Sequence, residues 1–218
     1  MSIPRKATVT CPRCGHAFEQ TFWESVNCEI DRDLPAKLIS GEFFSVTCPR
    51  CGESARVEYT LLYNDLNHET FVYLVTTEED YQEALRLNDR LSNLIPHFRI
   101  VRSAAALSEK VTALENGLDD RVIELCRYIC LSKVLCSRQD FIYQDSFYHR
   151  VDDQDEFIFY GDSGKTSIAS PPPAFYEAIH SRFHDVLEQE ASDEPEIDLY
   201  WARYFMEQHM DLLEGSIP

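Results

Sequence analysis

The chain has 218 residues, of which 44% are hydrophobic and 12% aromatic, enough apolar side chains for one large domain or two small ones. Its formal net charge of −18 argues against DNA or RNA as a partner, because binding to phosphates needs clustered lysine and arginine. No stretch approaches the roughly 20 apolar residues that cross a bilayer, and no apolar run follows Met1–Lys6, so neither a membrane partner nor a secretory signal is expected.

The N-terminal region contains two predicted β-hairpins, each formed around the sequence Cys-Pro-Arg-Cys-Gly. Ala7–Thr10 leads into the first copy and Ala17–Trp23 leads out of it. Glu42–Thr47 enters the second copy and Ala55–Tyr59 leaves it. This repeat of strand, Cys-x-x-Cys turn and strand is typical of a zinc ribbon.

A short helix is predicted between the two hairpins, over Asp33–Gly41. Asp33 is placed as its N-cap, Pro35 lies in its first turn, and Gly41 ends it. The zinc-ribbon-like β element therefore carries an inserted helix.

Strands and helices alternate in the middle of the chain. Val122, Leu125, Cys126, Ile129 and Cys130 recur at spacings of three and four, which predicts one buried helix face. The predicted strands are Leu61–Tyr63, Thr70–Val75 and Phe98–Val101, and the predicted helices are Glu78–Leu94, Ser103–Asn116 and Asp119–Leu135.

A β-meander packed with two helices is predicted after Cys136. The segment from residue 138 to the end holds 5 basic and 18 acidic side chains, a net charge of −13, and predicts an acidic surface. Its predicted strands are Asp140–Arg150, Glu156–Tyr160 and Thr166–Ala169, with a solvated turn over Asp152–Asp155, helices Ala174–Glu190 and Ile197–Leu213, and an acidic break over Ser192–Glu196.

The predicted fold class is α+β, with two regions. Residues 1–137 form a zinc-binding domain with trailing helices, and residues 138–218 form an acidic α+β region. The boundary is placed near Cys136–Asp140, where the pattern changes from helix to strand.

The two Cys-x-x-Cys pairs predict a structural zinc site formed by Cys11, Cys14, Cys48 and Cys51. Four thiolates complete the tetrahedral shell of Zn²⁺, which binds sulfur well and undergoes no redox chemistry. The separation of 33 residues exceeds the about 15–20 of an ordinary ribbon by roughly the size of the inserted helix. Such a shell has no open position for substrate, so it stabilises the fold and performs no reaction.

Other chemistries remain open for these cysteines. An iron or iron–sulfur centre uses the same ligands, and Cys-Pro-x-Cys is also a redox motif at the start of a helix after a parallel strand. Duplication on hairpins favours zinc. His16 could replace one ligand, and Arg13 and Arg50 are expected to offset the negative charge of the thiolates.

The chain resembles the CpXC family of prokaryotic proteins over roughly residues 7–130. The residues that carry the resemblance are the paired Cys-Pro-x-Cys motifs with a helix between them, Tyr59–Tyr63 after the second pair, and Gly117–Glu124. The resemblance implies that Cys11, Cys14, Cys48 and Cys51 form the metal shell, in a bacterial intracellular setting. It implies no reaction.

Three further patterns have weaker interpretations. His180 and His184 are spaced as metal ligands on a helix, but the glutamate of His-Glu-x-x-His is missing, so a surface pair is expected. Gly164-Lys165-Thr166 lacks the first glycine of a phosphate loop. Cys126 and Cys130 lie in the apolar stripe and are expected to be buried thiols.

The sequence favours a zinc-stabilised cytoplasmic binding or adaptor protein with a protein partner. Cysteines in metal-type pairs without a secretory signal indicate a reducing compartment. Two alternatives remain: a metal-dependent enzyme using His180, His184 and acidic groups, or a nucleic-acid-binding ribbon with its N-terminal basic residues on one face. No catalytic residue, partner identity or oligomeric state follows from the sequence.

Overall fold

The computed structural model describes residues 2–189 and 194–213 and divides the chain into two compact units, residues 1–111 and residues 112–218. Both units combine helices and strands, so the predicted α+β class is confirmed. The predicted end of a helix at Glu190, and residues 192 and 193 of the predicted acidic break, lie outside the described residues. The predicted domain boundary near Cys136–Asp140 stays a prediction, and the two compact units divide between Val111 and Thr112.

A mixed sheet of five strands forms the centre of the first unit, in the order β1-β2-β5-β6-β7. A separate two-stranded hairpin pairs β3 with β4. The strands are β1 (Ile3–Thr10), β2 (Ala17–Asn27), β3 (Ser45–Thr47), β4 (Ser54–Arg56), β5 (Leu61–Asp65), β6 (Thr70–Leu74) and β7 (His97–Val101).

Two of the neighbouring pairs in the main sheet are parallel, β2 with β5 and β6 with β7. Parallel neighbours need a crossover connection, because the chain must return to the same end of the sheet. Helix α2 (Glu78–Leu91) lies in the crossover from β6 to β7. The crossover from β2 to β5 contains α1 (Leu34–Ile39) and the β3–β4 hairpin. The second Cys-x-x-Cys pair thus lies inside a crossover.

An aromatic cluster holds that crossover against β2. The ring of Tyr59 packs edge-on against Phe22 at 5.0 Å between centroids, and Phe44 lies 5.4 Å from Tyr59. Trp23 lies 6.4 Å from Phe43, which also contacts Phe44. Aromatic pairs at such distances stabilise by about 0.5–1.5 kcal/mol each beyond their burial.

The inserted helix is confirmed, and Asp33 is at its predicted N-cap position but makes no capping hydrogen bond with its side chain. Asp33 occupies the N-cap position with a helical backbone, and its side chain accepts no backbone N–H. Its carboxylate instead accepts a hydrogen bond from Lys37 at 3.0 Å. Gly41 ends this segment with φ of 74° and leads into a 3₁₀ turn over Glu42–Phe44, where a strand was predicted. Because Lys37 satisfies the Asp33 carboxylate in place of a backbone N–H, an aspartate before a helix does not by itself predict a capping hydrogen bond.

The second unit contains the predicted meander, in the order β10-β9-β8. Tyr148, Phe157 and Phe159 on its inner face pack in one core with helix residues Leu125 and Phe183. The helical stripe predicted from Val122 to Cys130 is buried in the same core. The elements are α4 (Asp120–Ser137), β8 (Tyr143–Val151), β9 (Gln154–Gly161), β10 (Thr166–Ala169), α5 (Ala174–Gln189) and α6 (Leu199–Gln208), preceded by α3 (Ala104–Glu115), which crosses the unit boundary.

Asp155 was predicted in a solvated turn, and the structure corrects this. The turn between β8 and β9 is formed by Asp152 and Asp153 alone, with φ of 49° and 62°. Asp155 lies one step into β9, opposite Arg150, and is buried. Its carboxylate accepts hydrogen bonds from Arg150 at 2.6 Å and from the Tyr148 hydroxyl at 3.0 Å. The left-handed backbone at two adjacent residues makes a turn of two residues, which puts Asp155 on the inner face.

Candidate metal centre

The first Cys-x-x-Cys turn joins β1 to β2 directly. The strands remain paired up to Thr10 and Ala17. The N–H of Cys11 donates to the carbonyl of His16 at 2.9 Å, and the N–H of Gly15 donates to the carbonyl of Cys11 at 2.9 Å. These two bonds close a tight loop that directs both sulfurs to the same side.

The second turn repeats this arrangement between β3 and β4. The N–H of Cys48 donates to Glu53 at 2.8 Å, and the N–H of Gly52 donates to Cys48 at 3.0 Å. Gly15 and Gly52 have φ of 67° and 73°, a left-handed backbone that a residue with a Cβ adopts only with strain. The glycine after each second cysteine is therefore required by the turn itself.

The two turns bring four sulfur atoms together. The Sγ of Cys11 lies 3.6 Å from that of Cys51, and the Sγ of Cys14 lies 3.8 Å from that of Cys48. All four lie within 4.8 Å of one another. A tetrahedral zinc with Zn–S bonds of about 2.3 Å holds its sulfurs about 3.8 Å apart. The donor set and spacing therefore fit a metal–thiolate shell formed by the predicted ligands.

Backbone N–H groups around the sulfurs change their protonation. Burial raises the pKa of Cys48, but the N–H groups of Cys51 and Arg50 and the neighbouring thiols lower it to about 7. The N–H of Glu53 lowers the pKa of Cys51, whereas burial and the three other sulfurs raise it to about 12. The N–H of His16 acts in the same way on Cys14, whose pKa is nevertheless raised by burial and its neighbours. Sulfurs this close ionise together only when a cation balances their charge.

An ion pair links the two turns outside the sulfur cluster. Nη1 of Arg13 lies 3.1 Å from Oε2 of Glu53. Arg13 was expected to offset the charge of the thiolates, but its guanidinium is paired with this carboxylate. Arg50 is exposed and forms no ion pair among the described residues. His16 occupies the position in the first turn that Glu53 has in the second, so Arg50 lacks the matching carboxylate.

The basic residues of the ribbon are mostly paired with glutamates. Lys6 lies 2.7 Å from Glu19, and Arg5 lies 3.8 Å from Glu24. Arg56 is 3.9 Å from a glutamate two residues further on. The first unit therefore presents alternating charges along the ribbon, and these pairs do not make a basic face.

The other predicted candidates do not form sites among the described residues. The rings of His180 and His184 lie 5.3 Å apart on α5, and no group of three ligand atoms there includes either residue. Lys165 of the Gly-Lys-Thr sequence binds the carboxylate of Asp140 at 3.1 Å in a turn. Cys126 and Cys130 are buried, and burial raises the pKa of both thiols, as expected of core cysteines.

The fold and the four-sulfur cluster define an α+β metal-binding protein with a zinc-ribbon-like element. The model of the family described as CpXC protein matches residues 9–127, more than half of the chain. The chain therefore belongs to the CpXC family, and the match includes all four clustered cysteines. No curated protein and no solved structure matches it. None of the helices in residues 2–189 and 194–213 has the length and apolar character needed to cross a bilayer.

Sequence reasoning missed the residues around the sulfurs that the turns bring together. Glu53 follows the second turn as an ordinary polar residue, and its pairing with Arg13 depends on two turns separated by a crossover. The sequence does contain one sign of this pairing: the two five-residue turns are identical, but His16 follows the first and the acidic Glu53 follows the second.

Proposed function

We propose that this protein is a zinc-stabilised cytoplasmic adaptor that acts by binding another protein. The observation that carries the proposal is the closed set of four sulfurs, within 4.8 Å of one another, between two hairpins. A four-thiolate shell leaves no coordination position for water or substrate, so its metal stabilises a fold. The protein then acts through its surface, by contact with the partner protein.

Zinc is the metal that these ligands favour. Thiolates select zinc, iron–sulfur clusters or Cu(I), and a tetrahedral shell of four sulfurs suits a single zinc. The exposed fraction of Cys11 and Cys48 is 3% for each, whereas Cys14 and Cys51 are partly exposed, so one cysteine of each pair is shielded from water. We place the protein in the cytoplasm, because thiolates persist in a reducing compartment.

A protein partner is favoured by the charge of the C-terminal region. The net charge of −13 after residue 137 repels nucleic acid and attracts a basic surface. The alternative of a nucleic-acid-binding ribbon loses support because Arg5, Lys6 and Arg13 are paired with glutamates. The alternative of an enzyme loses support because His180 and His184 have no third ligand among the described residues.

Elemental analysis and chelation test the metal. We expect one zinc per chain in purified protein and loss of folded structure when a strong chelator removes it. Cys51→Ser should abolish stoichiometric zinc, whereas Cys136→Ser, at an exposed cysteine outside the cluster, should keep it. Unchanged stability after complete zinc removal would contradict the structural role.

Affinity capture from the native cell tests the adaptor role. The zinc-loaded protein should retain a specific partner. No partner retained by the zinc-loaded protein, together with salt-dependent binding to DNA or RNA, would replace the adaptor role with the nucleic-acid alternative.

A further inference from the structure

The outer face of the C-terminal sheet carries an apolar row that crosses all three strands. Residues on antiparallel strands alternate between faces, and the register places Phe147, Ile158 and Ile168 directly side by side. Phe147 and Ile158 are half-buried, and Ile168 is 60% exposed. Tyr160 and Val151 extend the same face and are 41% and 48% exposed.

The opposite face of this sheet packs into the hydrophobic core of the second unit. Tyr148, Phe157 and Phe159 point inward and have no exposed surface. They pack with residues of α4 and α5. A sheet with a helical layer on one face and an apolar row on the other has room for a second layer.

The rim of the apolar row is acidic. Asp145 lies next to Tyr160 on this face, and Asp152 lies in the turn that ends β8. Neither carboxylate forms an ion pair among the described residues, and both are exposed. The basic residues nearby are engaged: Arg150 with Asp155 on the inner face, Lys165 with Asp140, and Arg138 with the carbonyl of Thr166. His149 is bonded to Glu156 at 2.9 Å.

We propose that this face docks a basic amphipathic helix of a partner protein, with the helix's apolar stripe on the row and its lysines or arginines beside Asp145 and Asp152. This inference rests on the proposed adaptor function and names its surface. Charge complementarity selects the partner, because an apolar stripe flanked by cations matches an apolar row flanked by free carboxylates.

Addition of a strand at the β10 edge of the sheet is a less suitable mode of binding than docking on this face. β10 has four residues, and the carbonyl of Thr166 already accepts a hydrogen bond from Arg138 at 3.2 Å. Pro171 and Pro172 follow the strand and cannot donate to a ladder. The face is therefore the better surface.

A synthetic helical peptide tests the surface on the full-length, zinc-loaded protein. The peptide carries leucines at i, i+3, i+4 and i+7 with lysines on both sides, and binding is measured by calorimetry and by NMR amide shifts. We expect shifts centred on Phe147, Ile158 and Ile168. Ile168→Ser should weaken binding about tenfold, as loss of a central apolar contact does. Leu94→Ser, at a 72% exposed leucine of the first unit, is the matched control and should bind as the wild type does.

Charge is tested with a second pair of measurements. Asp145→Asn combined with Asp152→Asn should weaken binding severalfold at low salt and little at high salt. A peptide with glutamates in place of the lysines should not bind. Absent binding, shifts on another surface, equal loss in Leu94→Ser, or equal binding of the glutamate peptide would each overturn the proposal.

Capture of the native partner separates this inference from the adaptor function. If wild type and Ile168→Ser retain the same partner equally, the adaptor function stands and this surface is wrong. If wild type retains a partner that Ile168→Ser loses, both are supported. If neither retains a partner, the adaptor function fails, and the peptide measurements alone decide whether the face binds basic helices.

Discussion

The guanidinium of Arg121 lies 2.7 Å from the carboxylate of Asp119, at the start of α4. Asp119 also caps the helix by accepting the backbone N–H of Arg121 at 2.8 Å. Another nitrogen of Arg121 donates to the carbonyl of Leu187 at the end of α5. The turn before α4 contains Gly117, whose φ is 64°. In that turn the N–H of Leu118 donates to the carbonyl of Ala113 at 2.9 Å. The Asp119 carboxylate thus caps the start of α4 and pairs with the buried guanidinium of Arg121.

Removing that carboxylate should strongly destabilise the second unit. Asp119→Ala loses the cap and leaves Arg121, whose side chain is 7% exposed, without its main partner, so we expect a loss of about 3 kcal/mol. Asp119→Asn keeps the cap but not the charge and should lose about half as much. Urea denaturation of the zinc-loaded proteins measures both. Equal losses in the two variants would show that the charge contributes nothing.

Substitution of Gly15 should separate backbone strain from metal binding. A Cβ at Gly15 would meet no atom within 4 Å, so Gly15→Ala is strained only through its φ of 67°. We expect a loss of about 1–2 kcal/mol and weaker zinc binding, with a smaller effect for Gly15→Asn, because asparagine tolerates this conformation better. Zinc competition with a chromogenic chelator measures the affinity.

Gly164 provides the control for that experiment. Its φ is 74° and its surroundings are equally open, but it lies in a turn of the second unit. Gly164→Ala should lower stability by a similar amount and leave zinc affinity unchanged. A comparable loss of zinc affinity in Gly164→Ala would mean that Gly15→Ala weakens zinc binding through general destabilisation and not through the turn that holds Cys11 and Cys14.

Tyr59 should make stability fall at alkaline pH. Burial raises the pKa of its phenol to about 12, although the backbone N–H of Trp23 partly opposes this, while the unfolded value is about 10. Because the folded pKa is the higher one, this contribution is fully present below pH 10 and is lost as pH rises from 10 to 12. Urea denaturation across that window should give a shallower loss for Tyr59→Phe than for wild type. Parallel profiles would contradict the assignment.

The ion pair between Arg13 and Glu53 should add little stability. Both side chains are exposed, and exposed pairs contribute about 0–1 kcal/mol. A double-mutant cycle with Arg13→Ala and Glu53→Ala should give a coupling of about 0.5 kcal/mol or less, and added salt should reduce it. A coupling above about 2 kcal/mol would show that the pair is required to align the two turns.

Local features of the fold were predictable from the sequence, because their causes are local. The four-sulfur cluster followed from two identical five-residue turns, each of which positions its own two sulfurs. The buried face of α4 followed from spacings of three and four, which all lie within one helix. The meander followed from alternation and turn residues.

Non-local pairing was not predictable in the same way. Nothing within β2 or β5 specifies that Ser25 pairs with Leu62 in a parallel register. Asp155 was misplaced because its acidic neighbours resemble a turn, whereas the two-residue turn places it opposite Arg150 in the same hairpin. The pairing of Arg13 with Glu53 was hidden for a different reason, because a charge whose partner is distant in sequence carries no local signal.

The second cysteine pair lies in the crossover that returns the chain from β2 to β5, so a metal ion held by all four cysteines would close that crossover into a loop. While the chain is being synthesised, the first hairpin is complete before the crossover exists. A metal ion bound at both pairs would hold the returning segment close and reduce the entropy lost in closing the loop. A chain without that ion would have to order the whole crossover before β5 could pair with β2, so metal binding and sheet formation would be coupled within the first unit.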